Sequence, residues 1–152
     1  MTAAERQLEG FLERFTPEIA SDARIALAKL RAAVPGAIEL IYDNYNALVV
    51  GFAPTERASK AIFSIAVYPR KINLFFLQGA ELPDPDGILT GDGKVVRHVS
   101  LDDRTTIDRP AVRRAIALAL DMASVPIDPK QPRRLVVRSI SPTQRPRRPK
   151  TK

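Results

Sequence analysis

Residues 88–99 read ILTGDGKVVRHV and gather residue types that often handle phosphate or a proton: Gly91, Gly93, Lys94, Arg97 and His98, the only histidine in the chain. A phosphate cradle needs a glycine-rich loop running into a helix, so that backbone amides and the helix dipole both meet the anion. Here Lys94 is followed by Val95 rather than Ser or Thr, and the pattern continues as a strand. Val96 stands where a dinucleotide fingerprint needs its third glycine. The spacing predicts a tight turn in which Gly91 and Gly93 take positive φ ahead of a strand.

Strand alternation puts Val95, Arg97, Val99 and Leu101 on one face, and Val96, His98 and Ser100 on the other. An arginine among core valines needs a carboxylate or carbonyl partner, and Glu39 on an upstream strand is one candidate. His98 as a general base would need a nucleophile, but the chain has no cysteine and no G-x-S-x-G elbow. A half-buried, hydrogen-bonded histidine is expected instead. An enzyme using Lys94, Arg97 and His98 on an anionic substrate is the least supported reading, and no catalytic residue is assigned. In ELPDPDG (81–87), Asp84 and Asp86 precede a glycine as in a calcium loop, but the distal glutamate ligand is missing. A solvated turn is expected there, with no metal site and no cofactor.

The elements that must position these residues follow from periodicity. Thr2 with Glu5 forms a capping-box pattern ahead of Leu8, Phe11, Leu12 and Phe15 at helical spacing. Thr16-Pro17 starts a second helix whose stripe runs through Ile19, Ala23, Ala26, Leu27, Leu30 and Val34, ending at Pro35-Gly36. Short β-rich runs follow at 37–42, 47–52, 61–68 and 72–77, separated by turns short enough to make successive strands antiparallel. A strand at 95–101 comes next, and Asp108 and Pro110 open a last helix. The expected fold is α+β: an antiparallel sheet of about five to six strands with two N-terminal helices and one C-terminal helix packed against it.

At 152 residues the chain has room for one core, and 45% apolar with 27% charged residues suits an ordinary globular domain. The N-terminus carries Glu5, Arg6 and Glu9 and no apolar h-region, and no apolar run approaches the ~20 residues of a membrane span. A cytoplasmic, non-membrane protein is expected. The net charge of +7 is unevenly placed. Residues 126–152 hold nine Lys/Arg and one acid, whereas residues 1–125 hold 15 basic and 16 acidic residues. The chain therefore divides into a domain, 1–125, and a basic Pro/Arg-rich tail, 126–152. Within that tail, RLVVRSIS (134–141) has strand composition and is expected to add to a sheet edge, in its own domain or in a partner.

On the strands at 61–68 and 72–77 both faces are apolar, so something must cover the second one. Helices, the tail strand or another subunit would serve. The functional alternative is a ligand pocket lined by Tyr68, Asn73 and Phe75, near Lys94, Arg97 and His98.

The segments ELPDPDGILTGDGKVVRHVSL (81–101) and VPGAIELIYDNYNALVVGF (34–52) resemble the YdhG-like domains, small bacterial proteins grouped with the YjbR and CyaY (frataxin) families. The similarity extends over residues 4–125, and 134–149 looks like a tail present in some members. The resemblance implies an α+β fold and no established general activity. It also implies an iron-chaperone-like role, proposed in that family by analogy with frataxin, whose acidic helical ridges carry the analogy. Here Glu5, Glu9, Glu13 and Glu18 are mixed with Arg6 and Arg14.

Two functional classes stand ahead of catalysis. One is a non-enzymatic binding or accessory domain that forms a homodimer and holds a small ligand at the mixed sheet face. The other is weak nucleic-acid association through Arg133, Arg134, Arg138, Arg145, Arg147 and Arg148, at about 10⁻⁴ to 10⁻⁶ M and steeply salt-dependent. No aromatic residue is interleaved with those charges to stack on bases.

Overall fold

The computed structural model describes residues 1–150; Thr151 and Lys152, the latter counted in the tail's charge, lie outside the described residues. Helix α1 (Ala3–Glu13) begins with the expected capping box, in which the Thr2 hydroxyl accepts from the Glu5 amide while the Glu5 side chain reaches back. Helix α2 (Pro17–Ala33) begins at Thr16, whose side chain accepts from the Ile19 amide, with Pro17 in the first turn. Strands β1 (Ile38–Asp43), β2 (Leu48–Ala53), β3 (Phe63–Val67), β4 (Ile72–Phe76) and β5 (Arg97–Ser100) follow. Helix α3 (Pro110–Met122) and strand β6 (Arg134–Ile140) complete the chain.

All six strands form one sheet in the order β5-β4-β3-β2-β1-β6. The first five make an antiparallel meander, as the short turns require. β6 departs from the all-antiparallel expectation: it runs parallel to β1, with a register shift between Ile41 and Tyr42. The reason lies in the segment that precedes it. Asp128 and Pro129 press on Gly36, just ahead of β1, and the Gln131 side chain donates to the carbonyls of Gly36 and Pro54. β6 is thereby delivered to the end of the sheet where β1 starts, and the two strands run the same way. The strand expected from the tail therefore joins the chain's own sheet.

The pairing register sorts the side chains into two faces. One face carries the rows Glu39–Phe52–Phe63–Phe76–Arg97 and Ile41–Val50–Ile65–Leu74–Val99. It packs on Leu8, Leu12, Phe15, Ala23, Leu27, Leu30, Val112 and Ile116, so all three α-helices lie on this side. Phe63 and Phe76 meet edge to face with ring centroids 5.6 Å apart. The other face holds a small separate cluster, Ile38, Leu40 and Ala53 with Tyr42, Ala61 and Val136, and no α-helix residue belongs to it.

Residues beyond β6 also dock. The Arg147 side chain lies over the Phe15 ring at 5.7 Å and donates to Asp43 Oδ1 at 2.8 Å and to the carbonyls of Asn44 and Tyr45. Arg148 donates to the carbonyls of Glu13 and Arg14 at the end of α1. These carbonyls lack intrahelical partners, so a guanidinium there completes the helix terminus.

Candidate functional site

The helix-free face is a cross-strand surface whose residue sizes follow a gradient. Its two rows read Val136–Leu40–Gly51–Ser64–Phe75–His98 and Ser139–Tyr42–Val49–Ala66–Asn73–Ser100. The central strands β2 and β3 thus contribute Gly51, Val49, Ser64 and Ala66, and Ala61 packs against the Gly51 end of the row, where an added Cβ would meet it at 3.8 Å. Leu40 is fully buried beside Ala61; Tyr42 and Val49 form one flank, and Phe75 and His98 form the other, with ring centroids 5.4 Å apart. A sheet face with small residues in the middle and rings at its flanks is a shallow trough. Its floor is sheltered: Ala66 is 2% exposed, Asn73 5% and Ser64 7%.

Four of the six residues expected to form a ligand site share this face. Tyr68 continues the β3 alternation and carries Lys71 over its ring at 5.1 Å. Asn73 accepts from the Ser100 hydroxyl at 3.4 Å. Phe75 and His98 pack together as described. His98 is half-buried, but no hydrogen bond from its imidazole is formed among the described residues; only its backbone pairs, exchanging two 2.9 Å bonds with Thr90. The half-buried position is the expected one, and the ring's neighbour among the described residues is Phe75.

Arg97 and Lys94 lie elsewhere. Arg97 is on the helix-facing side, and its guanidinium donates to the carbonyls of Gly93 and Val96 within its own loop. The carbonyl alternative holds, and the pairing with Glu39 does not. Glu39 and Arg97 occupy one row with three strands between them, about 19 Å apart at ordinary strand spacing. Lys94 is exposed at the loop tip. In that loop Gly91 takes φ +135°, as a turn requires, whereas Gly93 does not adopt positive φ; Gly87 does instead.

The aspartates of 81–87 hold structure together. Asp84 accepts from the Ile88 and Leu89 amides, and Asp86 accepts from Arg114. Among the described residues no group of three or more His, Asp or Glu is placed to hold a metal ion.

Most tail arginines already have partners within the chain. Arg133 pairs with Glu39 at 2.9 Å and Arg134 with Glu56 at 2.7 Å. Arg145 lies over the Tyr45 ring at 5.6 Å. Arg147 is enclosed, 3% exposed, and Arg148 caps α1. Arg138 is exposed, without a side-chain partner among the described residues.

Two cavities were not foreseen. One, of about 310 Å³, opens between the C-terminal end of α3 and the segment after β4, with Ile62, Phe76, Leu82, Ala119 and Met122 along its walls. The other, of about 250 Å³, lies between α1, α2 and β6 and contains Arg31 and Arg133. The one sequence signal for the second was an acid, Glu39, inside an apolar strand, which must have a cation nearby. No family model, no curated protein and no solved structure matches this chain, and its function is argued from its own geometry.

Proposed function

We propose that this chain is a non-enzymatic binding domain that self-associates over the helix-free sheet face and can receive a small ligand in the same trough. The observation that supports this is the trough itself: Ser64 and Ala66 between Tyr42 and Val49 on one side and Phe75 and His98 on the other, with no α-helix above. Small residues let an approaching side chain or ring come close, and the flanking aromatics supply contact area at low entropic cost. The order of two helices, an antiparallel meander and a helix is in keeping with a YdhG-like domain, and we read the chain as one.

Native mass spectrometry of the protein and of Phe75→Arg tests the proposal. The parent is expected as a dimer or with an added ligand mass, and the variant as a bare monomer with an unchanged circular dichroism spectrum. A bare monomer for the parent at tens of micromolar, or a dimer untouched by Phe75→Arg, overturns it.

A further inference from the structure

We propose that the cleft between α1, α2 and β6 is a binding site for a small organic acid, a single carboxylate on an apolar body. The site lies on the helix side of the sheet and is independent of the trough. It begins with Glu39, whose carboxylate is fully enclosed. Arg31 clamps that carboxylate through two bonds of 2.8 Å, from Nε to Oε2 and from Nη2 to Oε1. Arg133 Nε adds a third at 2.9 Å to Oε2. One carboxylate thus sits beneath two guanidinium groups, and Glu5, whose carboxyl feels Arg133, balances their second charge across the cleft.

What the cleft is offered is donors. Arg31 Nη1 and both Nη atoms of Arg133 have no protein partner among the described residues, and Arg31 and Arg133 line the space. A planar guanidinium already held by Glu39 offers its remaining donors at fixed angles, which matches a second carboxylate. Leu8, Leu12, Leu27 and Leu135 supply the apolar lining, alongside the charged Glu5, Glu9 and Arg24. Cationic donors and four leucines in one cleft fit an amphipathic monoanion.

The remaining charges of the cleft set its selectivity. Arg24 is taken up by Glu9, which it meets with bonds of 2.8 and 3.0 Å, so that pair adds no net charge. Glu5 stays ionised: the Thr2 backbone amide donating to it holds its carboxyl below the ordinary value. It opposes a second negative charge on the ligand, so a phosphate dianion should be excluded.

Isothermal titration calorimetry and amide NMR on the full chain, with octanoate, octanol and inorganic phosphate as probes, test the assignment. Octanoate should saturate and shift amides of α1, α2 and β6, with octanol about tenfold weaker or worse, as expected when a charge-assisted hydrogen bond is lost. Phosphate should not saturate. Arg133→Leu should weaken octanoate about tenfold, leaving the Arg31–Glu39 clamp in place. Arg133→Lys, which keeps the charge but not the fork, should weaken it too and covers the case that the leucine variant fails to fold. Glu5→Gln should tighten it, and Phe75→Arg should change nothing. N-acetyl-Ala-Leu carries the same carboxylate on a peptide end; tighter binding than octanoate would overturn the free-acid form of the proposal. Octanol equal to octanoate, shifts confined to other elements, or full affinity in both Arg133 variants would overturn it altogether.

Discussion

Replacing Arg147 by alanine should destabilise the protein far more than a substitution near a chain terminus usually does. The side chains of Arg147 and Asp43 are 1% and 2% exposed, and their 2.8 Å ion pair is accompanied by bonds to the Asn44 and Tyr45 carbonyls. Removing one partner of a buried pair costs about 3–5 kcal/mol, because the other charge remains without compensation. Asp43 keeps one further cation, Arg14 at 3.4 Å, whose side chain is 48% exposed and also donates to Gln144 at 2.6 Å. That residual partner, with water entering the space vacated, places the expected loss near the lower end, about 3 kcal/mol. For a chain of this size the melting temperature should fall by about 6–12 °C. Urea unfolding at constant slope measures the loss directly. Asp43→Asn should cost a similar amount, while the double variant Asp43→Asn/Arg147→Ala should cost at least about 1 kcal/mol less than the sum. A loss below about 1 kcal/mol for Arg147→Ala, or strict additivity in the cycle, would refute the view that this segment is latched into the core.

Two further outcomes follow from geometry elsewhere. Gly36 has φ +84°, and an added Cβ would lie 2.0 Å from the Asp128 carbonyl oxygen, so Gly36→Ala should cost about 3 kcal/mol or more and increase hydrogen exchange in β6. Unchanged thermal stability of that variant would show that the 126–133 segment does not rest on Gly36. Glu5, Asp103 and Asp108 have carboxyls held below their ordinary values of 4.5, 3.8 and 3.8, by the Thr2 amide, the Thr105 hydroxyl and the Lys29 ammonium respectively. Because their folded values are depressed, their contribution is complete above the ordinary values and disappears as pH falls through the folded ones. Melts taken from pH 6 down to pH 3 should show falling stability below about 4.5, less steeply in Glu5→Gln; rising stability over that range would contradict the assignment.

The local parts of the fold were legible because their signals are local. Thr2 with Glu5, and Thr16 with Pro17, satisfy amide groups within one turn, so spacing alone locates both helix starts. The five-strand meander follows from alternation and short turns. Partner choice across the sheet is another matter. Glu39 had to have a cation, but Arg31 and Arg133 differ from Arg97 only in where the folded chain puts them. Net charge is silent on partners in the same way. The tail's excess of arginine looked like an offer to an external polyanion, whereas Glu39, Glu56 and Asp43 meet Arg133, Arg134 and Arg147. The parallel placement of β6 depends on the Gly36–Asp128 contact, which joins residues far apart in the chain. At the trough, alternation gave the common face of Tyr68, Asn73, Phe75 and His98; the small residues that make it concave became visible only once the register of β2 and β3 was known.

The position of β6 also bears on how the protein is made. Both helices of the N-terminal pair and strands β1 to β5 are synthesised before any of β6, and domains fold as units while the chain grows. Until residues 134–148 emerge, β1 is an open edge strand, the Asp43 carboxylate lacks its guanidinium, and Leu135 and Val137 are missing from the core. A nascent chain in that state exposes what aggregation and proteolysis recognise. Addition of the last strand covers β1 and gives Asp43 its buried partner in one event, so a prematurely terminated copy would be marked for removal by its own unfinished sheet.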